Sequence, residues 1–286
     1  MYALAPALFA LIGRASERES HMSADVIDAT IIGDDLQAVV ITLDPGESVV
    51  AEAGAIMYME DGVEMGTSLS MKQDGGGVFG RLFEAGKRMV TGESFFITYF
   101  ANQSSVRRDV GFAAPYPGHV LSVELAEHGG RILCQKDSFL CAARGVEIDI
   151  AFTRRLGAGF FGGEGFILQR LSAPGGRGQV FCHAGGSVVR RDLAAGEVVR
   201  VDTGCLVAFE EQVDYAIEFV PGIKNKLFGG EGLFYVKMTG PGAVWLQTLP
   251  FSRLADRIIA SAPSRGGKQK GEGSVLGGAW RMLDGR

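Results

Sequence analysis

Three glutamates, each beside glycine, are the residues of this chain whose type and spacing come closest to chemistry. Glu164 lies in Phe161-Gly162-Gly163-Glu164-Gly165, Glu231 in Phe228-Gly229-Gly230-Glu231-Gly232, and Glu93 in the looser Val90-Thr91-Gly92-Glu93-Ser94. Brought together, three carboxylates could bind a cation, and each would raise the pKa of the others unless a metal or arginine offset the repulsion. The competing account is local: a glutamate that follows glycine in a tight turn accepts backbone N–H groups and points to water. We favour the local account and keep Glu93, Glu164 and Glu231 as the candidate ligand site.

Other constellations fail on composition or context. Metal chemistry of the imidazole type needs clustered histidines, whereas His119, His128 and His183 are isolated along the chain with no H-x-H, and His21 lies in the leader. The four cysteines, Cys134, Cys141, Cys182 and Cys205, form no C-x-x-C pair and sit in apolar runs, where a thiol behaves as a small hydrophobe. Gly157-Ala158-Gly159-Phe160-Phe161-Gly162 spells G-x-G-x-x-G, but a strand-type run follows it where a dinucleotide site needs a helix. There is no G-x-S-x-G elbow for a serine nucleophile. These residues give no catalytic set, no metal and no cofactor, and the expectation is a protein that is not an enzyme.

The elements that position the glutamates repeat. Each Gly-Glu motif is followed by a β-type run, Phe95–Phe100, Phe166–Leu171 and Leu233–Met238. From Glu164 to Glu231 the offset is 67, and it also carries Gly129 to Gly196, Val146 to Val213, Ile150 to Ile217 and Pro174-Gly175 to Pro241-Gly242. Agreement over that span marks an internal duplication. An earlier copy is more divergent. Its turn Gly46-Glu47 precedes Gly129-Gly130 by 83, so it holds about twelve extra residues, and these fall in the glycine-rich stretch 66–86. That stretch includes Phe79, Arg81, Leu82, Phe83, Lys87 and Arg88, a mix of aromatic, aliphatic and basic groups suited to a membrane or partner surface. Packing over a sheet edge explains the same composition.

The chain has 286 residues, 47% hydrophobic and 21% charged, with a net charge of −5, which disfavours nucleic acid as a partner. Residues 1–21 read as a leader outside the fold, disordered or preceding a start at Met22. Residues 22–260 read as one all-β domain in three units, about 24–115, 116–180 and 181–250. Phe251–Ala260 has helical spacing with Leu254 and Ile258 on one face, and residues 261–286 form a glycine-rich flexible tail.

Four stretches together resemble a known family: Gly75-Gly76-Gly77 through Gly92-Glu93-Ser94, Asp202-Thr203-Gly204 to Ala208-Phe209-Glu210-Glu211, Gly230-Glu231-Gly232, and Thr239-Gly240-Pro241-Gly242-Ala243-Val244-Trp245-Leu246-Gln247-Thr248. They look like the altered-inheritance-of-mitochondria (mitochondrial biogenesis) family over roughly residues 24–260. The resemblance implies a fold related to the tryptophan RNA-binding attenuator protein: a sandwich or double-stranded β-helix of three similar units about a pseudo-threefold axis. It also implies a link, for mitochondrial members, to inner-membrane organisation. The expectation is therefore a non-enzymatic scaffold or accessory protein, homo-oligomeric, cytoplasmic or peripheral at the inner membrane face. A small-ligand or RNA-binding module is the alternative, and an enzyme with an unrecognised site comes third.

Overall fold

The computed structural model describes residues 24–52, 54–67, 97–154, 166–220 and 233–261. Turn chemistry sets the rhythm. At Asp44-Pro45-Gly46-Glu47, Pro presets the first corner and Gly46 takes φ 85°, while Glu47 N donates to Asp44 O at 3.0 Å. Ala194-Ala195-Gly196-Glu197 repeats this closure, with φ 78° at Gly196 and Glu197 N to Ala194 O at 3.0 Å.

Between such turns run nineteen described strands. The first seven are β1 (Asp28–Ile32), β2 (Ala38–Leu43), β3 (Ser48–Glu52), β4 (Ile56–Met59), β5 (Val63–Thr67), β6 (Ile97–Asn102) and β7 (Arg108–Ala113). Six follow: β8 (Gly118–Glu124), β9 (Arg131–Gln135), β10 (Phe139–Ala143), β11 (Glu147–Arg154), β12 (Phe166–Ser172) and β13 (Gln179–Gly185). The last six are β14 (Val188–Leu193), β15 (Val198–Asp202), β16 (Leu206–Glu210), β17 (Asp214–Val220), β18 (Leu233–Thr239) and β19 (Gly242–Gln247). One helix, α1 (Phe251–Ser261), closes the described chain. The all-β class with a short C-terminal helix is as the sequence implied. The strand foreseen over Ala55–Met59 begins at Ile56, because Ala55 N closes a turn onto Glu52 O at 3.1 Å.

The strands form four sheets, ordered β1-β2-β7-β4, β5-β6-β3-β10-β13-β8, β11-β12-β9-β16-β19-β14 and β15-β18-β17. Adding six to every strand number of the second sheet gives the third. The junctions inside these two sheets are β3 with β10 (Cys141 opposite Ala51) and β9 with β16 (Ala208 opposite Cys134). A bulge precedes each junction, between Phe139 and Cys141 and between Leu206 and Ala208, and β4 has the same irregularity between Ile56 and Tyr58. The bulges are spaced by 83 and 67 residues, the offsets already present in the turns. The pairing that would continue the series, β15 against β4, is not formed among the described residues.

Sheets stack through alternating apolar faces. Val39, Ile41 and Leu43 of β2 and Val110 and Phe112 of β7 share a core with Val49 and Ala51 of β3 and Phe100 of β6. Phe100 and Phe112 meet edge to face at 5.2 Å. A second core joins Val201, Val236 and Met238 to Leu133, Phe166, Leu168, Leu206 and Phe209. Phe100 is fully buried between two sheets. Phe100→Ala is expected to lower unfolding free energy in urea by about 3–5 kcal/mol through lost transfer energy and the cavity left behind.

Candidate functional site

The β9–β16 junction carries the densest polar cluster. The chain enters β9 through a short 3-10 turn, Leu125–His128, ended by left-handed Gly129 and Gly130. That reversal presents His128 to the end of β16, where Glu210 stands. His128 Nδ1 lies 2.6 Å from Glu210 Oε1, and both side chains are largely covered. Glu210 Oε2 accepts from Ala243 N at 2.8 Å and Gln212 Nε2 at 2.9 Å. Burial pushes the Glu210 carboxyl upward, but the bonds from His128 and from Ala243 N outweigh it and hold the group below the usual carboxylate range. An ionised Glu210 only accepts, so the shared proton sits on His128 Nδ1.

The His128 ring stands edge-on to Trp245 at 5.1 Å, and the Arg190 guanidinium lies 5.7 Å from the Trp245 ring centre. Beside the pair, Glu211 takes Arg170 Nε at 2.6 Å and Arg131 at 3.1 Å. Glu127, His128, Arg131, Glu210, Glu211 and Gln212 line an open depression of about 440 Å³. Chemically, this arrangement clasps two strands and offers a polar recess with both charges at its rim. Sequence reasoning missed it because its partners lie 82 residues apart. The clue was that His128 and Glu210 flank turns in register with one another's repeats.

A second group lies where β8, β13 and β14 begin or end. His183 is 2% exposed, its Nδ1 is without a partner, and its ring donates to the Tyr116 carbonyl. The Tyr116 ring stands edge-on to it at 4.5 Å. Burial, helped by the charge of His119, lowers the His183 pKa to about 4. Burial raises the Tyr116 phenol to about 12. His119 Nδ1 is 2.6 Å from Gly186 O. The histidines treated as separate in the sequence are thus neighbours, because β8 and β13 pair with Ala184 opposite His119.

Glu93, Glu164 and Glu231 fall in the connections from β5 to β6, β11 to β12 and β17 to β18, and lie outside the described residues. So do Phe79, Arg81, Leu82, Phe83, Lys87 and Arg88. All four cysteines are free. Cys134, Cys141 and Cys182 are buried, with the Cys134 and Cys141 thiols pushed well up; contact with Cys182 leads for Cys134 and burial for Cys141. Among the described residues no group of three or more His, Cys, Asp or Glu side chains is placed to hold a metal ion. No described helix is long and apolar enough to cross a membrane.

The fold and clasp define an all-β protein of stacked sheets joined through strand junctions. The chain belongs to the family described as mitochondrial biogenesis AIM24, whose model matches residues 29–249. It is 27% identical over 225 residues to an uncharacterized protein of Streptococcus pyogenes serotype M6, covering 78% of this chain and 86% of that one. The crystal structure of another Streptococcus pyogenes protein shares the fold at a TM-score of 0.62 and 24% identity, over 82% of this chain and 99% of that one.

Two outcomes follow from this geometry. His183 is neutral in the folded state above about pH 4, while the unfolded chain takes up its proton below about pH 6.5. Stability therefore falls by up to about 3 kcal/mol as pH drops through that window. Urea melts at several pH values should show this slope, and His183→Gln should flatten it. For the clasp, a double-mutant cycle of His128→Ala and Glu210→Ala is expected to return a coupling of about 0.5–3 kcal/mol.

Proposed function

We propose that this chain is a non-enzymatic scaffold of three β units whose self-recognition resides in the free edges of β4 and β15. One observation carries the reading: these edges are of the kind that pair at the other two junctions, and here neither has a strand against it among the described residues. Unpaired edges with exposed apolar side chains are templates for strand addition. Met57, Tyr58 and Met59 on β4 and Val198 on β15 are all at least 40% exposed. Neither edge is blunted by proline.

The repeat offsets specify the register. Shifting the two observed junctions by the same offsets sets Tyr58 opposite Val201, Met59 opposite Arg200 and Glu60 opposite Val199. A second copy that supplies the missing edge builds a homo-oligomer. The same register within one chain would close three units about a pseudo-threefold axis. That closure is supported by the meeting of β2, β8 and β14 near their starts, where Gln37 N donates to Gly118 O at 2.9 Å and Gly118 bridges Gly186.

Met59→Cys with Arg200→Cys, in a Cys205→Ser background, tests the register under mild oxidation. A disulfide-linked dimer on a non-reducing gel is the expected result. A faster-migrating, internally linked monomer would replace assembly by ring closure. No cross-link of either kind would sink the edge pairing itself.

A further inference from the structure

Helix α1 spans eleven residues, Phe251–Ser261, and at 100° per residue Phe251, Leu254, Ala255, Ile258 and Ile259 share an arc of about 140°. Arg253, Asp256 and Arg257 occupy the opposite side. Only the first turn is fastened to the body. Arg253 pairs with Asp202 at 3.1 Å, Phe251 lies 5.2 Å from the Tyr116 ring, and Pro250 O accepts from Arg253 N at 3.0 Å. Beyond that turn the apolar stripe runs into solvent: Phe251, Ile258 and Ile259 are 55%, 60% and 65% exposed.

Charge points to what covers this face. Arg253, Arg257, Arg265, Lys268 and Lys270 stand against one carboxylate, Asp256, within eighteen consecutive positions, 253–270, of a chain whose net charge is −5. A helix with a clean apolar stripe, cationic flanks and a basic continuation has the composition of a segment that lies in a lipid interface. Basic residues next to such a helix are drawn to anionic headgroups. A second copy of this acidic chain would also attract cations, but the apolar stripe has no counterpart beside α1 among the exposed side chains, which cluster on β4 and β15.

We propose that α1 is a lipid-surface contact: Phe251, Ile258 and Ile259 enter the interface of an anionic bilayer, and the arginines and lysines of 253–270 hold the headgroups. The contact is separate from the β4 and β15 edges and stands without them.

Flotation of the full chain with vesicles tests this, using phosphatidylcholine with and without phosphatidylglycerol. The wild type should float with the anionic vesicles and not with the neutral ones, and added salt should weaken it. Ile258→Asp with Ile259→Asp should reduce the bound fraction by about tenfold or more. Because both side chains are exposed, its thermal midpoint should match the wild type, which separates lost binding from lost folding. Arg265→Gln with Lys268→Gln and Lys270→Gln should weaken binding and its salt dependence together. Wild-type chain left at the bottom with anionic vesicles, or a double variant that floats equally well, overturns the proposal. So does a dimer, by light scattering, that the double variant abolishes without any flotation of the wild type.

Discussion

Everything in this fold depends on how a strand's second edge is satisfied. A strand inside a sheet must give its N–H and C=O groups to neighbours on both sides, since a buried unpaired backbone group costs as much as a lost hydrogen bond. Here β3 and β9 obtain their second neighbour from the following unit, β10 and β16. The bulges at Phe139/Cys141 and Leu206/Ala208 fall at the residue where that pairing starts. A bulge bends and twists its strand, and this turns each incoming strand onto the edge left by the preceding unit. The junction therefore comes first, and the apolar faces stack because the junction has set their spacing.

Polar side chains reinforce the same seams. Gln247, 6% exposed, accepts from Gly185 N at 2.7 Å and donates to Gly204 O at 2.7 Å, so one amide ties β13, β19 and the turn before β16. Asn102, fully buried, donates to Leu43 O at 2.9 Å and Val106 O at 2.8 Å and accepts from Ser104 N. A buried amide with both ends occupied carries little penalty, whereas one left half-satisfied is costly. The His128–Glu210 clasp belongs to this group: every oxygen of the carboxylate has a donor. Its open side faces the recess, so the residues that secure the junction also shape the only strongly polar depression described there.

The sequence made the architecture legible to the extent that it is local. Offsets of 67 and 83 came from turns and glycines, and they return as the spacing of three bulges, because turn length and register are set together. Alternation at Val146 and Ile148 against exposed Glu147 and Asp149 is what a half-buried strand requires. The helix was legible from its spacing and extends one residue further, to Ser261. The candidate site was not legible. His128 and Glu210 are joined by tertiary geometry, and neither carries a local pattern. The local account of a turn glutamate fits two positions that were never singled out. Glu47 Oε2 accepts from Asp44 N at 2.8 Å and Glu197 Oε2 from Ala194 N at 2.9 Å, each three residues upstream.

What the fold leaves unburied is as specific as what it buries. Scattered exposed aliphatics are ordinary on a protein surface, but here they gather on two elements. Met57, Tyr58 and Met59 line an edge whose backbone also lacks a neighbour, so an added strand satisfies hydrogen bonds and apolar area at once. Ile258 and Ile259 lie on a helix whose own backbone is already bonded, so the only thing its face can gain is removal from water. A strand edge selects a partner by register, and a bonded helix face selects a medium by polarity. The two surfaces therefore discriminate between different kinds of neighbour, and a chain that carries both can recognise one without giving up the other.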